Sequence, residues 1–331
     1  MILVLGDLNV DVMAPLSAPI AIGEDCPSKS LSFHCGGVGA NIAFALAALG
    51  TPARLVGCVG RDWFGDHVLS RLAGRGVDVA HVRRAGVMTG MMYIAVTPDG
   101  QRTIFGSRGA NAEPALADDA CIEGVDALEV VGYAFLNDET AASAEELVRK
   151  AKQRGLWTAI DVGSAPSLQV PDKIMSVVGL FDTVFANSGE ALAITGASEL
   201  ETAISRLERK GCEVVLKQGQ QGCQLRIDGE LKTVPPFAVN PVDTTGAGDA
   251  FTAAFMSGRS WEWTIAECAL FANAVGAAAT MMMGAGEQMP GLTKVRAQLE
   301  AVQINSDWDA IRCDVISKSA NDRARTQSKG V

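Results

Sequence analysis

Short apolar runs alternate with longer segments of helical periodicity along most of this 331-residue chain. The longer segments have apolar residues every three or four positions, and they end in glycine, the usual residue just past a helix C-terminus. The short runs are typical of strands buried on both faces of a parallel sheet. The alternation therefore predicts an α/β fold with a mainly parallel central sheet and helices on both faces. The strand-like runs are ILVLG, ARLVGCVG, ALEVVGYAFL, LWTAIDV, TVFAN and CEVVLKQG, and the helical segments are GANIAFALAALG, DHVLSRLAGRG, SAEELVRKAKQRG and ELETAISRLERKG.

Two segments break this alternation. Residues 12–34 contain prolines and short alternating runs, and residues 86–108 contain two strand-like runs on either side of the turn PDGQ. The second segment is typical of a β-hairpin, so we expect the two segments to form a small separate sheet. The main domain would then comprise residues 1–11, 35–85 and 109–303. The polar segment 304–331 is expected to be a C-terminal tail with a frayed end.

Composition and charge exclude several classes of function. The formal net charge is -10, and the chain lacks the basic stripe that nucleic-acid binding requires, so no nucleic-acid partner is expected. The apolar N-terminus has no basic start and is interrupted by Asp7 and Asp11, which indicates a buried strand and not a signal peptide. Residues 268–286 are uncharged, but their Ala- and Gly-rich sequence favours a buried helix over a membrane span.

The cysteines and histidines predict reduced thiols and no zinc site. The eight cysteines include no C-x-x-C pair, which in a chain of this length indicates reduced, mostly buried thiols of a cytoplasmic protein. The three histidines, His34, His67 and His81, do not have the usual metal-ligand spacing to one another or to a cysteine.

The run DTTGAGDAF, residues 243–251, has the pattern of a small-residue turn that enters a helix. The first N–H groups of a helix lack internal partners and favour an anion, so Gly246, Ala247 and Gly248 could bind a phosphate. Asp249 follows in the first helical turn, where it could take a proton from an alcohol that attacks the phosphate. An ordinary helix start with tightly packed glycines explains the same residues equally well, and the motif alone leaves both interpretations open.

Other nucleotide-binding motifs do not fit the chain. There is no G-x-x-x-x-G-K-[ST] sequence, and there is no H-R-D or D-F-G set of a protein kinase. The run GGVGANIAFALAALG has Ile42 in place of the third glycine of the dinucleotide-binding motif G-x-G-x-x-G.

Four motifs in order resemble the ribokinase-like carbohydrate kinases, the PfkB family. DTTGAGDAF resembles their C-terminal signature and GGVGANIAFALAALG their N-terminal signature, while GDLNVDV resembles the opening strand and NSGEA the N-x-x-E element. The resemblance extends from about Leu3 to Pro290. It implies a ribokinase-like three-layer α/β/α fold in which the small β-sheet is a lid. It also implies transfer of the γ-phosphate of ATP to a hydroxyl of a sugar or sugar-like substrate.

The resemblance assigns roles on the acceptor side. Asp249 matches the catalytic base, and the turn Gly246–Gly248 matches the anion hole. Asp11 matches an aspartate that binds acceptor hydroxyls, although a strand-end Asp that makes a turn is the simpler alternative. The remaining substrate-binding positions are Gly36, Gly37, Asn41 and Asn111, and the glycines could equally form only a tight strand-to-helix turn.

The resemblance also assigns a nucleotide site. Asn187 and Glu190 match the element that organises Mg²⁺ and the phosphates, with Glu190 acting through water; a simple helix N-cap explains them as well. Lys217 stands where ribokinases often have Thr, and it could contact phosphate or only be solvated. The other ATP-binding positions are Gly219, Gly222 and Asn273.

A monovalent-cation site such as one for potassium is implied beside the anion hole, with Asp243 as its carboxylate. A turn cap is the alternative role for Asp243. The other matching positions are Thr245, Ala279, Gly284 and Gln288.

The acceptor and the assembly are less specific expectations. A sugar is favoured, but Asn137 falls roughly where ribokinases place a sugar-binding Glu, which puts ribose in doubt. A nucleoside is the runner-up, with its base near Met92 or Phe105, although a place in the lid core is the favoured role for those two residues. A non-catalytic sugar- or nucleotide-binding regulator is a third possibility. Lids of this type often pair, so a homodimer is expected.

Overall fold

The computed structural model describes residues 1–20, 23, 25–99, 101–116, 118–302 and 306–328; single positions of the predicted lid and main domain, and the ends of the predicted tail, lie outside this part. Strands and helices alternate as the sequence predicts. The strands are β1 (Ile2–Leu5), β2 (Asn9–Pro15), β3 (Ser32–Gly36), β4 (Ala53–Gly60), β5 (Val82–Ala85), β6 (Gly90–Val96), β7 (Arg102–Ser107), β8 (Ala127–Val131), β9 (Trp157–Asp161), β10 (Thr183–Asn187), β11 (Glu213–Lys217), β12 (Cys223–Ile227) and β13 (Glu230–Val234). The helices are α1 (Val38–Ala48), α2 (Trp63–Ala73), α3 (Asp138–Gln153), α4 (Ser164–Gln169), α5 (Pro171–Val177), α6 (Ser188–Thr195), α7 (Leu200–Glu208), α8 (Ala247–Ser260), α9 (Ile265–Thr280), α10 (Leu292–Ala301) and α11 (Ser306–Ser328).

The main sheet has nine strands in the order β13-β12-β11-β10-β9-β8-β1-β4-β5. The strands from β11 through β5 pair in parallel, whereas β12 pairs antiparallel with β11 and with β13. The predicted mainly parallel sheet is thus confirmed. Parallel strands bring their carboxyl ends to one edge, and this edge is where α/β proteins bind ligands.

Helices cover both faces of this sheet and make three layers. In β1, Ile2 and Val4 belong to a core shared with α1, α8 and α9, while Leu3 and Leu5 belong to a core shared with α3, α6 and α7. Successive strand residues point to opposite faces, so one apolar strand supplies both cores. This explains why the strand runs are continuously apolar.

The two segments that break the alternation form a separate four-stranded sheet in the order β3-β2-β6-β7. The strands β6 and β7 are the antiparallel hairpin that the sequence predicts. Since β2 begins at Asn9, the boundary predicted between residues 11 and 12 falls inside this strand. Asp11 therefore lies in the small sheet, opposite His34 of β3.

The C-terminal part differs from the predicted polar tail, because α11 packs against the main domain. Val315 and Ser319 are buried there, and Lys318 forms an ion pair with Glu267 of α9. A few buried positions among many polar ones are enough to dock a helix, and average polarity conceals them. A second, smaller difference concerns the predicted strand run ALEVVGYAFL: β8 ends at Val131, and a 3-10 turn follows it.

The uncharged segment that begins at Cys268 forms most of α9, whose residues are largely buried between neighbouring elements. This agrees with the expected buried helix. Across the described residues, none of the helices combines the length and the apolarity needed to cross a membrane.

Candidate active site

Three polar residues lie at the carboxyl ends of three adjacent strands. Asp161 ends β9, Asn187 ends β10 and Lys217 ends β11, and Asn187 is paired in register with Lys217. Their strands carry them to the ligand-binding edge of the sheet. The sequence predicts Asn187 and Lys217 as site residues, whereas Asp161 enters the site from the structure alone.

Lys217 and Asp161 form a largely buried ion pair. Lys217 Nζ lies 2.7 and 2.9 Å from the two carboxylate oxygens of Asp161, and Thr252 of α8 donates a 2.6 Å hydrogen bond to the same carboxylate. Burial alone would lower the pKa of Lys217, but the Asp161 and Glu190 carboxylates raise it, so the ammonium stays charged. A Cβ at Gly248 would lie 3.5 Å from Lys217 Nζ, which places this cation next to the turn that opens α8.

The small-residue turn forms the N-terminus of α8, as predicted. Gly246 is the N-cap residue with φ of 75°, a left-handed conformation that favours glycine. A Cβ there would also lie 2.6 Å from Cβ of Ala285, so space and backbone conformation both require glycine. The N–H of Ala247 donates to the Thr244 carbonyl at 3.3 Å. The opening N–H groups of an α-helix that follow it have no helical acceptor and can face an anion.

Asp249 lies in the first turn of α8 and contacts α1. The side-chain amide of Asn41 donates a 2.7 Å hydrogen bond to its Oδ2 atom. Burial and the charge of Asp161 raise the pKa of Asp249 to about 7, although the Asn41 hydrogen bond and Lys217 oppose the shift. A carboxyl with a pKa near the working pH is well matched to a general base. The two glycine-rich motifs, far apart in sequence, therefore meet at this residue.

Among the residues predicted to bind the acceptor, Asp11 closely approaches the β3–α1 turn. A Cβ at Gly36 would lie 2.1 Å from Asp11 Oδ2, so only glycine leaves room for this carboxylate. Burial raises the pKa of Asp11 to about 6. Gly37 is the N-cap residue of α1, and Asn41 lies one turn further along this helix. The buried Oδ1 atom of Asn41 has no hydrogen-bond partner among the described residues, so it is available to a hydroxyl donor.

The amide of Asn111 is engaged within the protein. It accepts a hydrogen bond from the Leu8 N–H at 2.8 Å and donates to the Leu8 carbonyl and to Asn9 Oδ1. These bonds fasten the 3-10 turn after the lid hairpin to the start of β2, and they orient Asn9. Nearby, Arg108 forms an ion pair with the buried Asp7, which lies two residues after the end of β1.

Asn187 and Glu190 form a capping box at the N-terminus of α6. The Asn187 side chain accepts from the Glu190 N–H, and the Glu190 carboxylate accepts from the Asn187 N–H and from the Ser164 hydroxyl. Burial, followed by the charge of Asp161, raises the pKa of Glu190, and Lys217 opposes this shift. The helix-cap interpretation of Asn187 and Glu190 is therefore confirmed. A cap does not exclude metal binding, because Mg²⁺ prefers oxygen ligands and keeps several waters between itself and such a carboxylate.

Asp243 joins two loops beside the anion-hole turn. Its carboxylate accepts hydrogen bonds from the N–H and hydroxyl of Thr245 and from the N–H of Gly284, at 2.7–2.9 Å. The Ala279 carbonyl accepts from Met282 N–H, and Gln288 is exposed. Of the predicted cation positions, Asp243, Thr245 and Gly284 are thus brought together by hydrogen bonds. The Asp243 oxygens already have donors, so a cation here would rely mainly on carbonyl oxygens.

The remaining predicted nucleotide positions lie further along the same edge. Gly219 and Gly222 form the tight turn between β11 and β12, where the Gly222 N–H donates to the Gly219 carbonyl. Asn273 of α9 donates to the Val234 and Pro235 carbonyls at 3.1 and 3.0 Å. Its amide therefore holds the end of β13 against α9.

Comparison with known proteins decides the family. The pfkB carbohydrate kinase family matches residues 1–291. The chain belongs to the pfkB family of carbohydrate kinases. Ribokinase from Haemophilus influenzae is 28% identical over 295 residues, which are 87% of this chain and 94% of that protein.

Solved structures of pfkB-type kinases share the ribokinase-like fold. Arabidopsis thaliana ribokinase in complex with ribose and ATP aligns with a TM-score of 0.79 and 27% identity, covering 91% of this chain and 99% of that chain. An E. coli chain assigned as ribokinase II, solved with ATP and Mg²⁺, aligns with a TM-score of 0.80 and 25% identity over the same shares.

The sequence motifs of this pfkB kinase do not identify the buried charged residues that shift the pKa values of its site residues. Asp161 follows an apolar run, a position where strand-end carboxylates often serve a site, and this is the signal that could have identified it. Glu129, within β8, gives no such signal because apolar neighbours surround it. Burial and the charge of Asp161 raise the pKa of Glu129 well above its usual range.

Proposed function

We propose that this pfkB kinase uses ATP to phosphorylate a hydroxyl of a sugar, with Asp249 as the general base. The observation that carries the proposal is the position of Asp249 in the first turn of α8, where it contacts Asn41 and has a pKa of about 7. One carboxyl thereby lies next to both an anion-binding helix start and the acceptor-side helix. The membership of the chain in the pfkB family supplies the reaction class.

The proposed phosphate-transfer step involves the following changes in bonding. The acceptor hydroxyl loses its proton to Asp249 as its oxygen forms a bond to the γ-phosphorus, while the bond from that phosphorus to the β-phosphate bridging oxygen breaks and ADP leaves. The N-terminus of α8 faces the charge on the transferred group, and preorganised N–H groups of this kind stabilise such charge. Asn41 orients the base through its amide nitrogen, and its unpaired Oδ1 atom can accept from the acceptor.

Lys217 is proposed to contact the nucleotide phosphates. Its ammonium lies beside Gly248 and is already paired with Asp161, so a phosphate can share it without removing the buried counter-ion. Glu190, with Asp161 nearby, would hold Mg²⁺ through water, and Mg²⁺ when bound neutralises charge on the phosphate oxygens. Asn187, Gly219, Gly222 and Asn273 would shape the rest of the ATP site.

The acceptor is proposed to bind between Asp11 and the β3–α1 turn. The carboxylate can accept two hydrogen bonds from a diol, which suits a sugar. Asn111 acts here as a positioning residue for Asn9. A nucleoside acceptor is the alternative, and the exposed Phe105 ring, which stacks on Tyr93 at 5.4 Å, is the surface that a base could contact.

A potassium ion is proposed to bind near Asp243, with carbonyl oxygens as its main ligands. It would steady the two loops that hold Gly246, because Ala285 packs directly against that residue. The backbone around Thr245, Ala279 and Gly284 and the side chain of Gln288 are the proposed donors.

The lid is proposed to pair two copies of the chain. It exposes large apolar residues, and β7 is an edge strand of the small sheet. The exposed apolar lid residues are Leu31, Phe33, Tyr93, Ile104 and Phe105.

A cytoplasmic location is proposed because all eight cysteines are free thiols. The net charge of -10 argues against a nucleic-acid partner.

An acceptor panel tests the proposed function. The full-length protein would be incubated with ATP, Mg²⁺ and sugars, sugar phosphates and nucleosides in turn, and acceptor-dependent ADP formation would be measured. We expect steady turnover with at least one sugar. Turnover with nucleosides only would favour the alternative acceptor. No transfer to any acceptor, together with tight sugar binding, would point to a non-catalytic regulator.

A further inference from the structure

We propose that Cys35, His67 and Glu287 form a binding site for a zinc ion, with a water molecule as the fourth ligand. The three residues come from different elements: Cys35 is the residue before the last in β3, His67 lies in the middle of α2, and Glu287 lies in the 3-10 turn over Gly286–Gln288. One ligand atom from each side chain lies within 4.8 Å of the other two. Sequence spacing could not indicate this site, because 32 and 220 positions separate the residues.

The three ligand atoms, within 4.8 Å of one another, are near enough to converge on one metal ion. Ligand atoms around zinc lie roughly 3.5 Å apart when the metal–ligand distances are about 2.0–2.3 Å. Small side-chain rotations would bring the three atoms from their present spacing to that value. A sulfur, an imidazole nitrogen and a carboxylate oxygen together favour zinc over Mg²⁺, which prefers oxygen ligands alone.

His67 is held in place and has a nitrogen to offer. Its ring stacks on Trp63 with a centroid distance of 5.2 Å and an interplanar angle of 18°. Its ring nitrogens have no hydrogen-bond partner among the residues that the structure describes. An oriented imidazole without a partner is poised to coordinate a metal.

Two arginines hold Glu287, one in α2 and one in the turn that follows this helix. Arg71 forms an ion pair with the carboxylate, and Arg75 donates to the Glu287 carbonyl at 3.1 Å. Arg71 therefore competes with a metal for the same carboxylate. The Cys35 thiol must lose its proton to solvent when the metal–sulfur bond forms, and zinc is acidic enough to displace it.

The site connects the two sides of the catalytic centre. Cys35 precedes Gly36, over which the Asp11 carboxylate lies, and Glu287 belongs to the loop whose Ala285 packs on Gly246. A zinc ion would join the acceptor turn, α2 and the loop beside the anion hole. Binding to the folded state alone would then raise thermal stability by mass action.

Cobalt titration of the metal-free, full-length protein tests this site. Co²⁺ is a spectroscopic substitute for zinc that gives a near-ultraviolet thiolate-to-metal band and visible bands of a tetrahedral ion. We expect both at one equivalent, with loss of the bands and a higher melting temperature when Zn²⁺ is added. The Cys35→Ser variant should lose the near-ultraviolet band, and Cys313→Ser should keep it.

Three further variants, one of them a control, keep the test decisive if Cys35→Ser does not fold. His67 is partly exposed, and His67→Gln should weaken Co²⁺ binding by more than the roughly 10–100-fold that loss of a supporting residue costs. The matched change His34→Gln, next to Cys35, should leave affinity unchanged. Arg71→Ala should strengthen binding, because it removes the competitor for Glu287.

The opposite results would overturn the proposal. These are no thiolate band at excess Co²⁺, a band that survives Cys35→Ser or disappears with Cys313→Ser, or equal affinities in His67→Gln and the wild type.

Discussion

The side-chain amide of Asn41 donates a 2.7 Å hydrogen bond to the carboxylate of Asp249, 208 residues away in sequence. The bond joins α1, which follows the proposed acceptor turn, to α8, whose N-terminus is the proposed phosphate site. Asn41 thus both orients the proposed base and stabilises its ionised form. The pKa of Asp249, about 7 in the folded protein, depends on this contact.

Removal of the Asn41 amide should change the pH dependence of turnover. The hydrogen bond lowers the pKa of Asp249, so Asn41→Leu should raise it. Asp249 must be ionised to accept a proton, and the acidic limb of the profile should therefore move to higher pH by about one unit. The measurement is kcat/KM from pH 5.5 to 9, with acceptor varied at saturating ATP. An unshifted limb with lower activity at every pH would contradict this role of Asn41.

Replacement of Asp249 by asparagine should stabilise the protein at alkaline pH. The folded-state pKa of about 7 lies above the usual value of 3.8, so the folded protein holds this proton more tightly than the unfolded chain. Stability therefore falls as pH rises from about 4 to 7, and the full penalty remains above pH 7. At pH 8 we expect Asp249→Asn to raise the free energy of unfolding by roughly 2–4 kcal/mol, a gain that vanishes near pH 4.

The check is urea denaturation at both pH values. Asp172→Asn, at an exposed position on α5, is the control for loss of one negative charge. An equal gain at pH 4 and pH 8 would show that ionisation of Asp249 does not limit stability.

Variants of the Lys217–Asp161 pair should distinguish a structural role of Lys217 from a contact between Lys217 and phosphate. Lys217→Met leaves a buried carboxylate without its cation and should cost about 3–5 kcal/mol of stability. The double variant Lys217→Met, Asp161→Asn should recover much of that loss. If Lys217 contacts phosphate, ATP affinity measured by calorimetry stays weak in both variants. Recovery of ATP affinity in the double variant would reduce Lys217 to a structural counter-ion.

Turnover should rise with potassium and much less with sodium or lithium. The ion would bind near Asp243 without touching substrate, and it would fix the turn that directs N–H groups at the phosphoryl group. The effect should therefore appear in kcat more than in KM. The test is a potassium titration at constant ionic strength, balanced with a large organic cation. A flat response would leave Asp243 as the cap of Thr245 and Gly284 only.

Local motifs predicted much of this molecule. The alternating runs predicted the parallel sheet, and DTTGAGDAF predicted the turn and α8 because all its residues are contiguous. Contacts between distant positions could not be predicted in this way. Asp161 meets Lys217 across the sheet, and the amide of Asn111 is engaged by Leu8 and Asn9, which its motif position does not reveal. The docking of α11 depends on a few buried side chains within a polar segment.

The measurement that tests the central claim most directly is turnover by the Asp249→Asn variant with the best acceptor from the panel. Loss of a general base should lower kcat by about 10²–10⁴-fold. The dissociation constant for ATP should change little, because the anion-binding turn and Lys217 remain. Turnover within a factor of a few of the wild type, with intact ATP binding, would remove Asp249 from the role of base and contradict the proposed mechanism.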